Sequence, residues 1–141
     1  MLARLAALFR RSYAPAALGK MSERRAALHL RLRGYRILER NVRFRDGEID
    51  LIARRGRRVA FVEVKSRQDR GSPADAVGAA KQAQVARIAE RYLAARRFEG
   101  CTLHFDVVTV FWDGWRFRVR HLRDAFYLEG RAGEGGRPRA G

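Results

Sequence analysis

Gly47-Glu48-Ile49-Asp50-Leu51-Ile52-Ala53, followed by Phe61-Val62-Glu63-Val64-Lys65, are the segments whose reading decides the fold. Both have the composition and alternation of strands, yet both carry acids where a sheet ordinarily places apolar groups. Side chains alternate along a strand, so Glu48, Asp50 and Ile52 share one face, and Ile49, Leu51 and Ala53 the other. On the second segment Glu63 and Lys65 lie together, opposite to Val62 and Val64. If Gly56-Arg57 is a two-residue turn, Asp50 sits directly across from Glu63. If Arg55-Gly56 is the turn, Glu48 faces Glu63 and Asp50 lies one diagonal away. Both registers keep the acids on one face, and a one-residue slip between them destroys that arrangement.

Carboxylates opposed on a sheet repel unless something stands between them. A divalent cation is the natural remedy: Mg²⁺ or Mn²⁺ prefers oxygen ligands and keeps several waters. Such an ion can activate water, orient a phosphate and neutralise charge developing at phosphorus. Lys65, two residues beyond Glu63, is then placed to orient or deprotonate that water, or to hold the phosphate. The competing reading is a solvated, charged sheet face. Phe61 on the same face, and a long helix that must cover one face, argue against it.

The rest of the composition points to a polyanionic partner. The 141 residues hold 31 Lys+Arg against 15 Asp+Glu, a formal charge of +16, which implies attraction to phosphates that weakens steeply with salt. Nucleic acid is therefore the expected partner. Cys101 is the only cysteine, so an intramolecular disulfide and a Cys-rich zinc site are both excluded. His29, His104 and His121 are scattered without metal-ligand spacing. No apolar run approaches the length of a membrane span, so no membrane insertion is expected and the expected compartment is the cytoplasm.

A pass along the chain predicts a helix from Ser22 to Arg33, with Ser22 as N-cap and Gly34 as terminator. Strands are expected over Tyr35–Phe44, Glu48–Arg54 and Arg58–Lys65, with Asp46-Gly47 and Gly56 marking turns. A loop with Gly71-Ser72-Pro73 leads to a long helix, Ala74 to Arg96, whose row Val77, Val85, Ile88 and Tyr92 packs on the sheet. Lys81 falls on that inward row, where it can point into the site and touch phosphate; Gln84 is a neighbouring candidate of the same kind. Strands Leu103–Phe111 and Trp115–Arg120 follow, joined by Asp113-Gly114. Asp106 reads as a strand residue paired with an arginine. Trp112 and Trp115 flank the last turn, placed for cross-strand packing or for stacking on unpaired bases.

The fold class expected is α/β: a mixed central sheet of four to five strands flanked by helices, in the order α-β-β-β-α-β-β. Residues 1–18 read as an N-terminal extension, poorly ordered or a short amphipathic helix. The domain proper spans 19–128, and the Gly/Arg-rich segment 129–141 reads as a disordered tail.

Gly34-Tyr35-Arg36-Ile37-Leu38-Glu39-Arg40-Asn41, together with the acidic segments above and the continuation Ser66-Arg67, resembles the YraN family. These are small bacterial proteins with a restriction-endonuclease-like, PD-(D/E)XK fold, similar to archaeal Holliday-junction resolvases. Gly71 to Val77, Lys81, Phe105-Asp106-Val107-Val108 and His121 to Phe126 fit the same pattern, so the resemblance runs from about Gly19 to Phe126. It implies that Asp50 and Glu63 are metal ligands for Mg²⁺ or Mn²⁺, that Lys65 is the catalytic lysine, and that Glu23 is the helix glutamate supporting a second ion or the attacking water. Lys81, Gln84 and Arg67 are the expected nucleic-acid contacts. Ser22 stands where the family usually has Gly, and His104 where it usually has Arg. The implied activity is metal-dependent hydrolysis of phosphodiester bonds in DNA, at branched or single-stranded structures. The alternatives are a non-catalytic nucleic-acid-binding module and an RNA-acting relative. A homodimer is expected by analogy with junction-cleaving relatives.

Overall fold

The computed structural model describes residues 15–45, 47–68, 78–95, 98, 100–126 and 139–140. Helix α1 (Pro15–Leu32) precedes strands β1 (Arg36–Phe44), β2 (Gly47–Arg55) and β3 (Arg58–Arg67). Helix α2 (Ala79–Ala95), β4 (Thr102–Trp112), β5 (Phe117–Phe126) and a two-residue β6 (Arg139–Ala140) complete the order. The strands lie side by side in chain order, β1 to β6. All neighbours are antiparallel except β3 and β4, which are parallel and joined through α2. A parallel pair needs such a crossover, whereas the antiparallel pairs close with short turns. The mixed α/β sheet has the class expected from the sequence, with a sixth, two-residue strand where Arg139–Ala140, within the expected disordered tail, pair with β5.

Several boundaries move. Helix α1 begins at Pro15 rather than Ser22, so Pro15 to Leu18 belong to it and Leu18 is buried. Proline suits a first helical turn because its missing N–H has no partner there anyway. Ser22 is consequently not an N-cap but a fully buried interior residue. At the other end Gly34, at φ +89°, closes the helix as expected. Its N–H bonds the Arg31 carbonyl and that of Tyr35 the Leu30 carbonyl, both at 3.0 Å, a Schellman pair. Helix α2 starts at Ala79, after Gly78; the remaining residues of the expected helix start, and residues 1–14, fall outside the described set. Strand β5 runs on to Phe126, well past the expected Arg120.

The sheet is packed on both faces. Ala26, Ala27 and Leu30 of α1 meet Leu51, Ala53, Ala60, Val62, Val108 and Val110. Alanines on both sides allow helix and sheet to approach closely. On the other face Val85, Ile88, Ala89 and Tyr92 of α2 cover Ile52, Phe61, Phe105 and Phe126. Ile49 joins this second cluster although alternation assigns it to the first, because β2 leaves its partner β3 beyond Leu51.

Asp106 has the arginine partner expected of it. Arg58 grips its carboxylate with two bonds of 2.7 and 2.8 Å, and His121 Nε2 lies 2.7 Å from Oδ2. Burial alone drives this carboxyl toward the neutral form, but the bonds from His121 and Arg58 prevail and hold its pKa at about 2. Arg58 also reaches the Tyr35 hydroxyl and Asp124, and Asp124 in turn meets His104, whose other ring nitrogen faces Thr102. His104 thus serves this network.

Candidate metal centre and nucleic-acid interface

The β2–β3 turn is Gly56-Arg57, with Arg55 paired to Arg58 and Leu51 to Val62. Gly56, at φ +60°, adopts the left-handed backbone that such a tight turn requires. The first of the two registers is therefore the one formed. The ladder stops at Leu51↔Val62, one pair short of Asp50 and Glu63. There the Val64 N–H donates not to a β2 carbonyl but to Asp50 Oδ2, at 2.8 Å. The Asp50 carboxylate thus occupies the opening between the two strands, within electrostatic reach of groups from both faces of the sheet.

Those groups are mostly acids. Burial first, then the charges of Glu23, Glu63 and Glu48, push the Asp50 pKa up to about 6 against the opposing bond from Val64. Asp50, Glu63, Glu48 and Lys81 line one small cavity of ≈ 10 Å³, about the space one water needs. Among the described residues Glu63 Oε2 is buried without a hydrogen-bond partner, while Oε1 lies 4.0 Å from Lys81 Nζ. Lys81, on the inward row of α2, thus lies beside Glu63 and lines the same cavity. Buried carboxylate oxygens rarely go unsatisfied, and a cation is the partner their charge asks for. Among the described residues no three His, Cys, Asp or Glu side chains close on one point. Two carboxylates completed by water suit Mg²⁺, which is commonly held that way.

Glu23 and Glu48 flank this centre and are joined by a residue that sequence reasoning passed over. Asn41 lies across β1–β2 opposite Asp50, between the pairs Arg40↔Leu51 and Val42↔Ile49. Its backbone is left-handed (φ 50°), and with the amide nitrogen facing the acids it donates to Glu23 Oε1 at 3.1 Å and Glu48 Oε1 at 2.9 Å. Asparagine tolerates that backbone better than most residues, which was the only local signal. Outside this bridge opens a groove of ≈ 490 Å³ whose walls include Lys20, Arg24, Arg40 and Arg43. Cations line the approach and acids its floor.

The remaining expected residues are placed as follows. Lys65 is half-buried on β3, in register with Thr109, and is not among the groups lining the small cavity. Arg67, in register with Phe111, has its Nε buried without a partner among the described residues and donates from Nη1 to the Ser66 carbonyl. Gln84 is half-buried against Gly47: a Cβ on that glycine would collide with the Gln84 side-chain amide.

An α-β-β-β-α-β-β chain on a mixed sheet, with its acids where β2 parts from β3, has the restriction-endonuclease-like architecture. Residues 22–110 match the Uncharacterised protein family UPF0102. A UPF0102 protein of Syntrophotalea carbinolica is 44% identical over 121 residues, covering 84% of this chain and 98% of that one. Another, of Symbiobacterium thermophilum, is 50% identical over 113 residues, covering 77% and 95% respectively. The chain belongs to this family, the same group its motifs resembled under the name YraN. Among the described residues no helix is long and apolar enough to cross a membrane.

Proposed function

We propose that this protein is a metal-dependent nuclease that hydrolyses phosphodiester bonds in DNA. The observation that carries the reading is the buried Glu63 Oε2, without a hydrogen-bond partner among the described residues, sharing a cavity with an Asp50 whose charge the surroundings resist. Asp50 and Glu63 are the residues that hold Mg²⁺ or Mn²⁺. The bound ion supplies a polarised water and a counter-charge for the phosphorane-like transition state. Asp50 is fixed for this role by the Val64 N–H on Oδ2, which leaves Oδ1 for the ion. Glu23 and Glu48, held by Asn41, keep the field at the centre negative, which favours cation uptake. Lys81 neutralises Glu63 until substrate arrives and then turns to a phosphate oxygen, a flexible point charge suited to that exchange. Lys65 orients the attacking water or takes its proton. The basic groove of Lys20, Arg24, Arg40 and Arg43 holds the flanking backbone.

The test is incubation of the purified protein with linear, branched and single-stranded DNA and with RNA, in Mg²⁺ or Mn²⁺ and then in chelator. Metal-dependent cleavage that Asp50→Ala or Lys65→Ala abolishes, with binding retained, supports the reading. Binding without a cut on any substrate replaces it with a non-catalytic module, and cleavage confined to RNA replaces the substrate.

A further inference from the structure

The sheet face that carries Glu63 continues past the metal centre onto the β4–β5 hairpin. In register across it lie Lys65, Thr109 and Arg120, and then Arg67, Phe111 and Arg118. Paired residues on adjacent strands project from the same face; Thr109 is buried between its neighbours, and half-buried Lys65 and Arg67 with exposed Arg118 and Arg120 surround Phe111 on this face. Beside them opens a groove of ≈ 350 Å³ whose lining includes Gln68, Phe111, Arg118 and Arg120. Arg118 and Arg120 are exposed and Phe111 is half-buried. Phe111 belongs to neither apolar cluster of the core. Trp115, at the hairpin tip, is 58% exposed, whereas Trp112 packs on Phe117 with ring centres 4.6 Å apart. Asp113, the acid of the groove, has Oδ1 engaged by the Trp115 and Arg116 N–H groups.

A groove of this volume has room for one flat heterocycle. Four residues along β3 and two strands sideways place it ~16 Å from Glu63, a few nucleotides from the scissile phosphate. Resting on the nucleic-acid reading above, we propose that the groove binds one unpaired nucleotide of the substrate. The base lies against Phe111 with Gln68 at its edge, and the adjacent phosphates sit on Arg118 and Arg120. Substrates with an unpaired segment beside the cleavage point are thereby preferred over uniform duplex.

The experiment uses the full chain in chelator, so that binding is read without cleavage. The probes are oligothymidylate, oligouridylate and a blunt DNA duplex of equal length. Both tryptophans of the chain flank this turn, so their fluorescence reports on the groove. The expected result is quenching by a single strand and little by duplex. Arg118→Ala/Arg120→Ala lowers the slope of log K against log salt by about 1.4 for single strands. Phe111→Ala weakens single-strand binding roughly 5- to 100-fold; the exposed arginines provide the variant that leaves folding intact. Quenching by only one of the two single strands supports the groove and identifies the sugar it accepts. Absence of quenching, or equal weakening of duplex and single strands by the arginine variant, overturns the proposal. Single-strand binding as described with no cleavage anywhere leaves the groove standing and removes the nuclease. Cleavage with no quenching and an unchanged salt slope does the reverse.

Discussion

Replacing Asp50 by Asn should make the metal-free protein more stable, the opposite of what losing a half-buried hydrogen-bonding acid usually does. The Asp50 pKa stands at about 6 in the fold against 3.8 for an unperturbed carboxyl, raised by burial and by Glu23, Glu63 and Glu48. A folded-state pKa above the unfolded one means that the native protein resists ionisation. Stability is therefore undiminished below pH 4, falls as pH rises from 4 to 6, and stays reduced above that. The shift corresponds to at most ~3 kcal/mol, and partial exposure of the carboxylate to water brings it to about 1–2 kcal/mol. Asn keeps an oxygen for the Val64 N–H while removing the charge. In chelator at pH 7.5 Asp50→Asn should raise the melting temperature by roughly 3–8 °C, with no difference from wild type at pH 4. Excess Mg²⁺ should then stabilise wild type by ~1.4 kcal/mol per ten-fold excess over Kd and leave the variant unmoved. Thermal unfolding by circular dichroism reads all three conditions. A variant that is destabilised, or whose effect does not vary with pH, refutes the claim that acid repulsion is stored at this strand opening.

Asp106 behaves with the opposite sign. Its pKa of about 2 lies below the unfolded value of 3.8, so its contribution of about 2 kcal/mol is present above pH 4 and lost as pH falls toward 2. Asp106→Asn, which strands Arg58 with a side chain only 14% exposed, should cost about 3–5 kcal/mol in urea unfolding at neutral pH. Gly47→Ala meets both a backbone at φ +145° and the Gln84 amide. It should lose about 1–3 kcal/mol, and Gln84→Ala should not restore it, because the amide can move and the backbone cannot. Lys81→Ala should tighten Mn²⁺ binding about 2- to 5-fold, since the lysine competes for Glu63, while weakening DNA binding measured by fluorescence anisotropy.

The β2–β3 hairpin was legible because Gly56 supplies the turn and strict alternation does the rest, and the two registers left open differed only in which residues made that turn. Lys81 was legible for a similar reason, standing as the charged member of an otherwise apolar helical row. The start of α1 was not: Ser22 looks like a cap, and only tertiary packing of Leu18 and the alanines shows the helix passing through it. Strand β5 ran long because its second half, rich in charge, is held by the Asp106 network rather than by an apolar stripe. Asn41 was invisible because its bridge between Glu23 and Glu48 joins a helix to a strand, and no local pattern encodes that approach.

The chelating pair is probed most directly by titrating Mn²⁺ into the protein and counting bound ions by electron paramagnetic resonance. One saturable site per chain is predicted, lost in Asp50→Asn and in Glu63→Gln and kept in Lys65→Ala. No saturable binding in the wild type, or binding that survives loss of both carboxylates, contradicts a cation centre at the opening between β2 and β3.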